Sequence, residues 1–234
     1  MAKFAVFGTG TVGQCLAGRL SELGNTVIVG TRNVEDTMAR TEKDMYGNPP
    51  YAEWLKNHPG ILTGTFKEAA SKCDIIVNCT MGHASMDALQ SAEATDLKGK
   101  ILIDIANPLD FSGGFPPSLL ICNTDSLGER IQQAFPELQV VKTLNTMNAW
   151  LMVNPALVPG NHTVFVSGND AGAKGTVKGI LSSFGWETYN ILDLGDITTA
   201  RGTEMLLPVW VRLYGALQTP MFNFHINIAG KNQP

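Results

Sequence analysis

Cysteine is scarce, and the four cysteines, Cys15, Cys73, Cys79 and Cys122, form no CxxC pair. Their spacing excludes a zinc finger and provides no disulfide framework, so we expect free thiols in a reducing compartment. No uninterrupted apolar run approaches the roughly 18 residues of a membrane-spanning helix. The apolar stretch near the start is also too short for the core of a signal peptide. These absences predict a cytoplasmic protein that does not contact a membrane.

Charge is also sparse. Charged residues make up 16% of the 234-residue chain, and the formal net charge is -4 at pH 7. A nucleic-acid binder needs a basic face, so this composition argues against nucleic acid as a partner. The sequence has no HExxH motif, no Ser-His-Asp elbow and no pair of carboxylates in a pocket-like context. We expect no metal site, and a small molecule as the substrate.

The first 145 residues alternate short apolar strands with helical segments. Strands that are apolar on both faces and separated by helices are typical of a parallel sheet that helices cover on both sides. The predicted fold is therefore α/β, a Rossmann-type doubly wound parallel sheet with a small C-terminal α/β extension and helix. Strands are predicted at residues 3–7, 26–29, 61–63, 74–79, 101–105 and 140–144, and helices at 11–23, 66–71, 84–94 and 126–135.

The sequence pattern changes after residue 145. We therefore expect two domains, a nucleotide-binding domain at residues 1–145 and a C-terminal extension at residues 146–234. Further strands are predicted at residues 163–166 and 187–191, flanking a helix at 171–184, followed by a long amphipathic segment at 198–217. We expect this extension to complete the sheet and to form the substrate cleft and a dimer contact. Its aromatic, apolar end should pack on the body or on a second subunit, so we expect a homodimer. Two long polar loops, 40–59 and 108–117, are either lids or surface insertions.

A glycine-rich turn, GTGTVG at residues 8–13, follows the first strand and opens the first helix. That context makes the pattern specific for a dinucleotide site. Gly8 permits the tight turn, Gly10 lets the backbone approach a pyrophosphate, and Gly13 lets helix and strand pack closely. The helix N-terminus then offers N–H groups and a partial positive charge to the phosphates.

The end of the second strand decides which dinucleotide is bound. An NAD site places Asp or Glu there, about 20 residues beyond the turn, to bind the ribose 2′-hydroxyl. Here residues 30–33 read Gly-Thr-Arg-Asn. Gly30 would make room for a 2′-phosphate, Arg32 could bind it through its planar guanidinium, and Thr31 and Asn33 could add hydrogen bonds. The sequence therefore predicts NADP rather than NAD.

Ligands of a doubly wound sheet lie beyond the carboxyl ends of the strands, which here are residues 80–83, Asn107 and 145–148. The backbone of residues 80–82 should border the nicotinamide ribose. His83 could donate a proton to a substrate or could cap the helix that follows it, and both readings stay open. Lys142, inside an apolar strand, could reach the substrate or point to a polar edge of the sheet.

Several segments of the chain match a known family. They are VFGTGTVG, VGTRN, GHA at residues 82–84, VVKTLNTM at residues 140–147 and DLGDITTARGTEMLLP at residues 193–208. By these segments the chain resembles the NADP oxidoreductases that depend on coenzyme F420, a deazaflavin, and the cytosolic domain of the STEAP metalloreductases. The similarity extends over nearly the whole chain.

The resemblance implies hydride transfer between NADPH and a flavin-like ring, two rings held face to face with little need for an acid or base. It places Thr9, Thr11 and Val12 at the pyrophosphate and Thr31 and Arg32 at the 2′-phosphate. It also brings Thr80, Met81 and His83 to the nicotinamide side. The predicted catalytic residue is His83. The predicted cofactor-binding residues are Gly8, Thr9, Gly10, Thr11, Val12, Gly13, Thr31, Arg32, Asn33, Thr80, Met81, Gly82 and Asn107.

The chain departs from the family in two places. Met81 stands where proline is common, and the acidic pair Glu35 and Asp36 replaces a basic residue. The acceptor is therefore open: a flavin, a deazaflavin or another small redox partner. Two alternatives remain, a non-catalytic module that senses NADP(H), and a reductase of an imine or ketone that would need a proton donor such as His83.

Overall fold

An eight-stranded sheet holds both halves of the chain together. The structure, a computed structural model, describes residues 1–43 and 47–229. The strands of the sheet are β1 (Lys3–Phe7), β2 (Thr26–Thr31), β3 (Leu62–Thr65), β4 (Ile75–Asn78), β5 (Ile101–Asp104), β8 (Gln139–Thr143), β9 (Val164–Gly168) and β10 (Ile191–Gly195). Two further strands, β6 (Leu109–Asp110) and β7 (Ser118–Leu119), form a separate short hairpin.

The strand order is β10-β9-β8-β5-β4-β1-β2-β3. The chain therefore leaves β1 first toward β3, then returns and continues on the other side through β4. All neighbouring strands are parallel except β8 and β9, which pair antiparallel. This arrangement confirms the predicted Rossmann-type doubly wound sheet, with one antiparallel step that the sequence did not predict.

Each face of the sheet has its own apolar core. On one face β1, β2, β4 and β8 pack against α1, α8 and α9, and on the other the same sheet packs against α4, α5, α6 and α7. None of the helices in the described ranges is long and apolar enough to cross a membrane. The helices are α1 (Thr11–Glu22), α2 (Val34–Ala39), α3 (Tyr51–Lys56), α4 (Phe66–Lys72), α5 (Ser85–Ser91), α6 (Ala94–Leu97), α7 (Leu127–Ala134), α8 (Ala149–Val153), α9 (Ala171–Ser183), α10 (Ala200–Met205) and α11 (Leu207–Leu217).

Several predicted elements differ from the structure. The segment 40–59 is not one loop, because it contains α3, while its residues 44–46 lie outside the described part. The strand predicted at 187–191 is wrong in position, since β10 begins where the prediction ended. The helix predicted at 84–94 is two helices, α5 and α6. The amphipathic segment 198–217 is divided between α10 and α11, because Pro208 lies in the first turn of α11 and cannot continue a helix from before it.

The C-terminal segment contacts the body of the same chain as far as Ile226, residues 227–229 are exposed, and residues 230–234 lie outside the description. The backbone N–H of Thr163 donates to the carbonyl of Phe224 at 2.8 Å. The side chain of Asn223 lies 3.0 Å from Nδ1 of His162. The predicted packing of this segment on the body is therefore present within one chain.

A row of buried polar side chains crosses the sheet near the carboxyl ends of the strands. Asn78, Asp104, Lys142 and Ser167 occupy matched positions on β4, β5, β8 and β9, so they share one face. All four are buried. The Nζ of Lys142 lies 2.9 Å from a carboxylate oxygen of Asp104 and 2.9 Å from one of Glu204.

Lys142 is therefore buried on an interior strand, so the reading that it points to an edge of the sheet is wrong. Burial alone would lower the pKa of Lys142, but Asp104 and Glu204 outweigh it and hold the pKa above its ordinary value. Glu204 belongs to α10, and its carboxylate also accepts from the backbone N–H groups of Leu127 at 2.8 Å and Gly128 at 3.1 Å. One buried carboxylate thus joins α10, the start of α7 and the centre of the sheet.

Replacing Lys142 by methionine should strongly destabilise the fold. Lys142→Met keeps the length of the side chain but leaves two buried carboxylates without their cation, which costs about 3–5 kcal/mol of unfolding free energy. Urea unfolding followed by circular dichroism measures the change. Lys98→Met is the matched control, because the Lys98–Glu137 pair has side chains that are 65% and 61% exposed. If both variants unfold at the urea midpoint of the wild type, the ion cluster does not stabilise the fold.

Candidate active site

The candidate site lies where the direction of strand succession reverses, between β1 and β4. Ligands of open α/β sheets bind at such a reversal, in the crevice beyond the carboxyl ends of the strands. Gly8 follows β1 directly, and Cys79 and Thr80 follow β4. The glycine turn and the start of the predicted nicotinamide side are therefore neighbours across this crevice.

Two glycines of the turn are required by packing within the protein. Gly8 has a φ of +119°, and a Cβ added to it would lie 2.7 Å from the carbonyl oxygen of Cys79. A Cβ on Gly13 would lie 2.1 Å from the carbonyl oxygen of Gly8. Gly10 differs, because a Cβ there would meet no protein atom within 4 Å. No contact within the protein explains the glycine at position 10. The close approach of a ligand to the turn would explain it.

The N-terminus of α1 is built to receive an anion. Its N-cap is Gly10, no side chain caps it, and its first turn contains no acidic residue. The N–H groups of a first helical turn have no partners inside the helix, and their dipoles favour negative charge. The side chain of Gln14 donates to the carbonyl of Thr9 at 2.9 Å and braces the turn. These features fit the phosphates of a dinucleotide.

A cavity of about 530 Å³ opens beside the turn, within the range of small-molecule sites. Thr9 and Gly10 form one wall, and the opposite wall includes Arg40 and Lys43 with one carboxylate, Glu42. Neither cation is recognisable from the sequence, because both lie in a polar segment after α2 that carries no motif. Their placement adds positive charge next to the predicted phosphate turn.

The residues predicted to bind the 2′-phosphate take three different roles in the structure. Arg32 is exposed at the end of β2, and no described residue forms a salt bridge with it. Thr31 is buried, with its hydroxyl 2.7 Å from that of Thr37. Asn33 caps α2 by accepting from the N–H of Asp36 at 3.1 Å. Of the three side chains, Arg32 therefore has the greatest freedom to meet an anion.

Gly30 has a packing role that the sequence did not reveal. A Cβ at this position would lie 3.0 Å from the ring of Phe7 and 3.2 Å from that of Phe66. These two rings pack against each other with centroids 4.8 Å apart. The absence of a side chain at position 30 thus follows from the core beneath it, as well as from any need for room above it.

The predicted nicotinamide side begins with Thr80, which is half-buried, and Met81, whose residue surface is 63% exposed. Gly82 is required by a close approach, since its Cβ would lie 2.1 Å from the carbonyl oxygen of Asn107. His83 is exposed in a short 3-10 turn and caps no helix, since the N-cap of α5 is Ala84. Of the two sequence readings, the helix-capping one is therefore wrong.

Asn107 and Asn145 bind each other at the ends of β5 and β8. The amide of Asn107 donates to the carbonyl of Asn145 at 2.8 Å, and the amide of Asn145 donates back to Oδ1 of Asn107 at 2.9 Å. Asn145 follows Leu144, a buried residue with a φ of +61°. A left-handed leucine is strained, and such residues concentrate at functional sites. This pair links the segments that follow β5 and β8.

The thiols next to the turn are unsuited to nucleophilic chemistry. Burial raises the pKa of Cys15 to about 11 and holds the pKa of Cys79 still further above its ordinary value. Both thiols are thus protonated at neutral pH, whereas the reactive form of cysteine is the thiolate. Within residues 1–43 and 47–229, no group of three or more His, Cys, Asp or Glu side chains is arranged to hold a metal ion.

Comparison with known proteins agrees with this site. Residues 3–108 match the family described as NADP oxidoreductase coenzyme F420-dependent. A crystal structure from Arthrobacter sp. FB24, provisionally given as an F420-dependent NADP reductase, is 55% identical, with a TM-score of 0.92, over 97% of this chain and 100% of that one.

Two curated relatives are more distant. The F420-dependent NADP reductase of Methanocaldococcus jannaschii is 27% identical over 90% of this chain and 92% of its own length. The metalloreductase STEAP3 of Rattus norvegicus is 29% identical over 89% of this chain, which spans only 38% of that longer protein. With its glycine turn, its Rossmann-type sheet and a relative matched from end to end, the chain belongs to the F420-dependent NADP oxidoreductase family and is an NADP-dependent oxidoreductase.

Proposed function

We propose that this protein transfers a hydride between NADP(H) and a small acceptor with a flavin-like or deazaflavin ring. The observation that carries the nucleotide part is the combination of an uncapped α1 beside Gly10 with an unpaired Arg32 at the end of β2. The acceptor class is supported by the Arthrobacter and Methanocaldococcus relatives, which are both described as F420-dependent.

In this proposal the protein binds and orients, and the cofactor supplies the redox chemistry. NADPH, when bound, provides the hydride. The backbone of residues 8–13 would hold the pyrophosphate, and Arg32 would bind the 2′-phosphate through charged hydrogen bonds. Thr80, Met81 and Gly82 would border the nicotinamide half. The division into domains at residue 145 stays a prediction, although β9 and β10 continue the same sheet.

Transfer between two stacked rings depends on distance and orientation more than on an acid or a base. The site fits that demand, because among the described residues the Cys15 and Cys79 thiols next to the turn are protonated and the buried Asp104 carboxylate is paired with Lys142. Membership in a family of oxidoreductases leaves the alternative of a non-catalytic sensor without support. The imine or ketone reductase stays a second candidate, because exposed His83 lies next to Gly82 and could donate a proton.

Loss of the Arg32 guanidinium should weaken NADPH binding selectively. For Arg32→Ala we expect a loss of about 1.5–3 kcal/mol in NADPH affinity, the scale of a hydrogen bond to a charged group, with NADH affinity little changed. Isothermal titration calorimetry measures both. Arg130→Ala is a control that also removes a guanidinium. Arg130 lies on α7 and pairs with Asp125, just before that helix. Equal losses for the two cofactors in Arg32→Ala would contradict the assignment.

His83→Ala distinguishes the two candidate reactions. Ring-to-ring hydride transfer needs no proton from this residue, so the rate with a flavin or deazaflavin acceptor should change less than about threefold. Stopped-flow absorbance of the reduced nicotinamide, recorded across the pH range, gives the rate profile. General acid catalysis contributes typically about 10²–10⁴-fold. A loss of that size, together with the disappearance of a pH step, would favour the imine or ketone reductase instead.

We also propose a homodimer formed through α11. This helix is largely apolar but buries only Leu207 and Val211 within the chain. Val209 is 48% exposed and Leu217 is 53% exposed on the same helix. Sedimentation equilibrium should show a dimer, and Val209→Asp combined with Leu217→Asp should convert it to monomer, because the charges would be desolvated at the contact. A monomeric wild-type protein would reject the proposal.

A further inference from the structure

The buried polar row gives each of its hydrogen bonds a defined direction. The ammonium of Lys142 can only donate, and it donates to Oδ2 of Asp104 at 2.9 Å. The other oxygen of that ionised carboxylate, Oδ1, can only accept. It accepts from the side-chain amide of Asn78 at 2.9 Å. The charge on Asp104 therefore decides which end of the Asn78 amide faces it.

The buried amide of Asn78 also binds residues that follow β4. Its Nδ2 also donates to the hydroxyl of Ser85 at 3.0 Å. Its Oδ1 accepts twice from Thr80, from the backbone N–H at 3.3 Å and from the hydroxyl at 2.6 Å. Both the carboxylate and the backbone N–H would oppose a flip of this amide, so its orientation is determined from two sides.

Thr80 has a single hydroxyl hydrogen, and Asn78 receives it. Ser85 does not change this, because its own hydrogen goes either to the carbonyl of Met81 at 3.3 Å or to the hydroxyl of Thr80 at 3.0 Å. In either case the Thr80 oxygen retains an acceptor lone pair and has no hydrogen left to donate. Half-buried at the end of β4, Thr80 can thus offer the crevice only an acceptor.

We propose that Thr80 is a binding contact that selects a neutral hydrogen-bond donor on the nicotinamide half of the cofactor, and that Asn78 and Asp104 act as positioning residues that set its polarity. The inference rests on the proposed function. Two groups carry such a donor, the carboxamide N–H₂ and a hydroxyl of the nicotinamide ribose. A ligand with an acceptor or an anion at that point would face a lone pair and bind less tightly.

The test uses three ligands and two variants of Thr80. The ligands are NADP⁺, its nicotinic acid analogue, in which a carboxylate replaces the carboxamide, and 2′,5′-ADP, which lacks the nicotinamide half. Thr80→Val removes the hydroxyl at nearly constant shape, and Thr80→Ser is the matched control that keeps it. Dissociation constants from calorimetry are the readout.

Thr80→Val should weaken NADP⁺ binding by about 3- to 10-fold, the range of one neutral hydrogen bond, and leave 2′,5′-ADP unchanged. Thr80→Ser should bind all three ligands like the wild type. If the nicotinic acid analogue is unaffected by Thr80→Val, the donor is the carboxamide. If it weakens as NADP⁺ does, the donor is the ribose hydroxyl. Both results support the inference.

Two results would overturn it. Unchanged NADP⁺ affinity in Thr80→Val would show that Thr80 makes no such contact. A greater loss for the nicotinic acid analogue than for NADP⁺ would show that Thr80 donates. A wild-type protein that binds 2′,5′-ADP and NADP⁺ with equal or no affinity would instead remove the proposed function on which the inference rests.

The positioning role has its own readout in Asn78→Ala. Without Oδ1 of Asn78 the Thr80 hydroxyl can rotate and donate. If the Thr80 variants identify the carboxamide as the donor, the preference for NADP⁺ over the nicotinic acid analogue should therefore fall at least about threefold in Asn78→Ala. The affinity for 2′,5′-ADP should stay constant, which a general disturbance of the fold would not allow. With the carboxamide as donor, an unchanged preference in folded Asn78→Ala would contradict the positioning role. If the donor is the ribose hydroxyl, or if this variant does not fold, the Thr80 variants decide the inference alone.

Discussion

The structure depends on one buried ammonium that two carboxylates share. Lys142 sits at the centre of the sheet, Asp104 on the neighbouring strand, and Glu204 on a helix of the C-terminal extension. Because a charge inside a protein is tolerated only when it is paired and hydrogen-bonded, each member requires the other two. The cluster thereby couples three parts of the chain that local sequence preferences alone would leave independent, and through Asn78 it extends to the edge of the candidate site.

The two ends of the site are built by different means. At the phosphate turn, Gly8 and Gly13 are required by contacts inside the protein, whereas Gly10 and the uncapped helix leave room and N–H groups for something else. At the proposed nicotinamide side, polar side chains have mutual partners, as in the reciprocal pair of Asn107 and Asn145. The site is thus open and cationic at one end and rigid and neutral at the other, which suits a ligand that carries its charge on phosphates.

The sequence predicted the fold and the turn well because both rest on local patterns. Apolar strands, helical periodicity and the GTGTVG context all lie within short windows, and the sheet that follows from them is confirmed. Long-range pairing was less accessible. Lys142 was noticed as an odd residue in an apolar strand, but its partners lie 38 and 62 positions away. The signal was present in the polar residue near the end of each central strand, Asn78, Asp104 and Lys142, and it becomes meaningful only once the register is known. The antiparallel β8–β9 step and the buried role of Thr31 likewise depend on tertiary contacts.

The packing of Phe7 and Phe66 beneath Gly30 has a consequence for how cofactor preference could evolve in this chain. Any side chain at position 30 would require a neighbouring aromatic ring to shift by a few tenths of an ångström. A mutational route from NADP to NAD through an acidic residue at position 30 would therefore also alter the packing of the core. The preference for NADP is thus linked to the packing of the hydrophobic core beneath position 30, as well as to the groups that would contact the nucleotide.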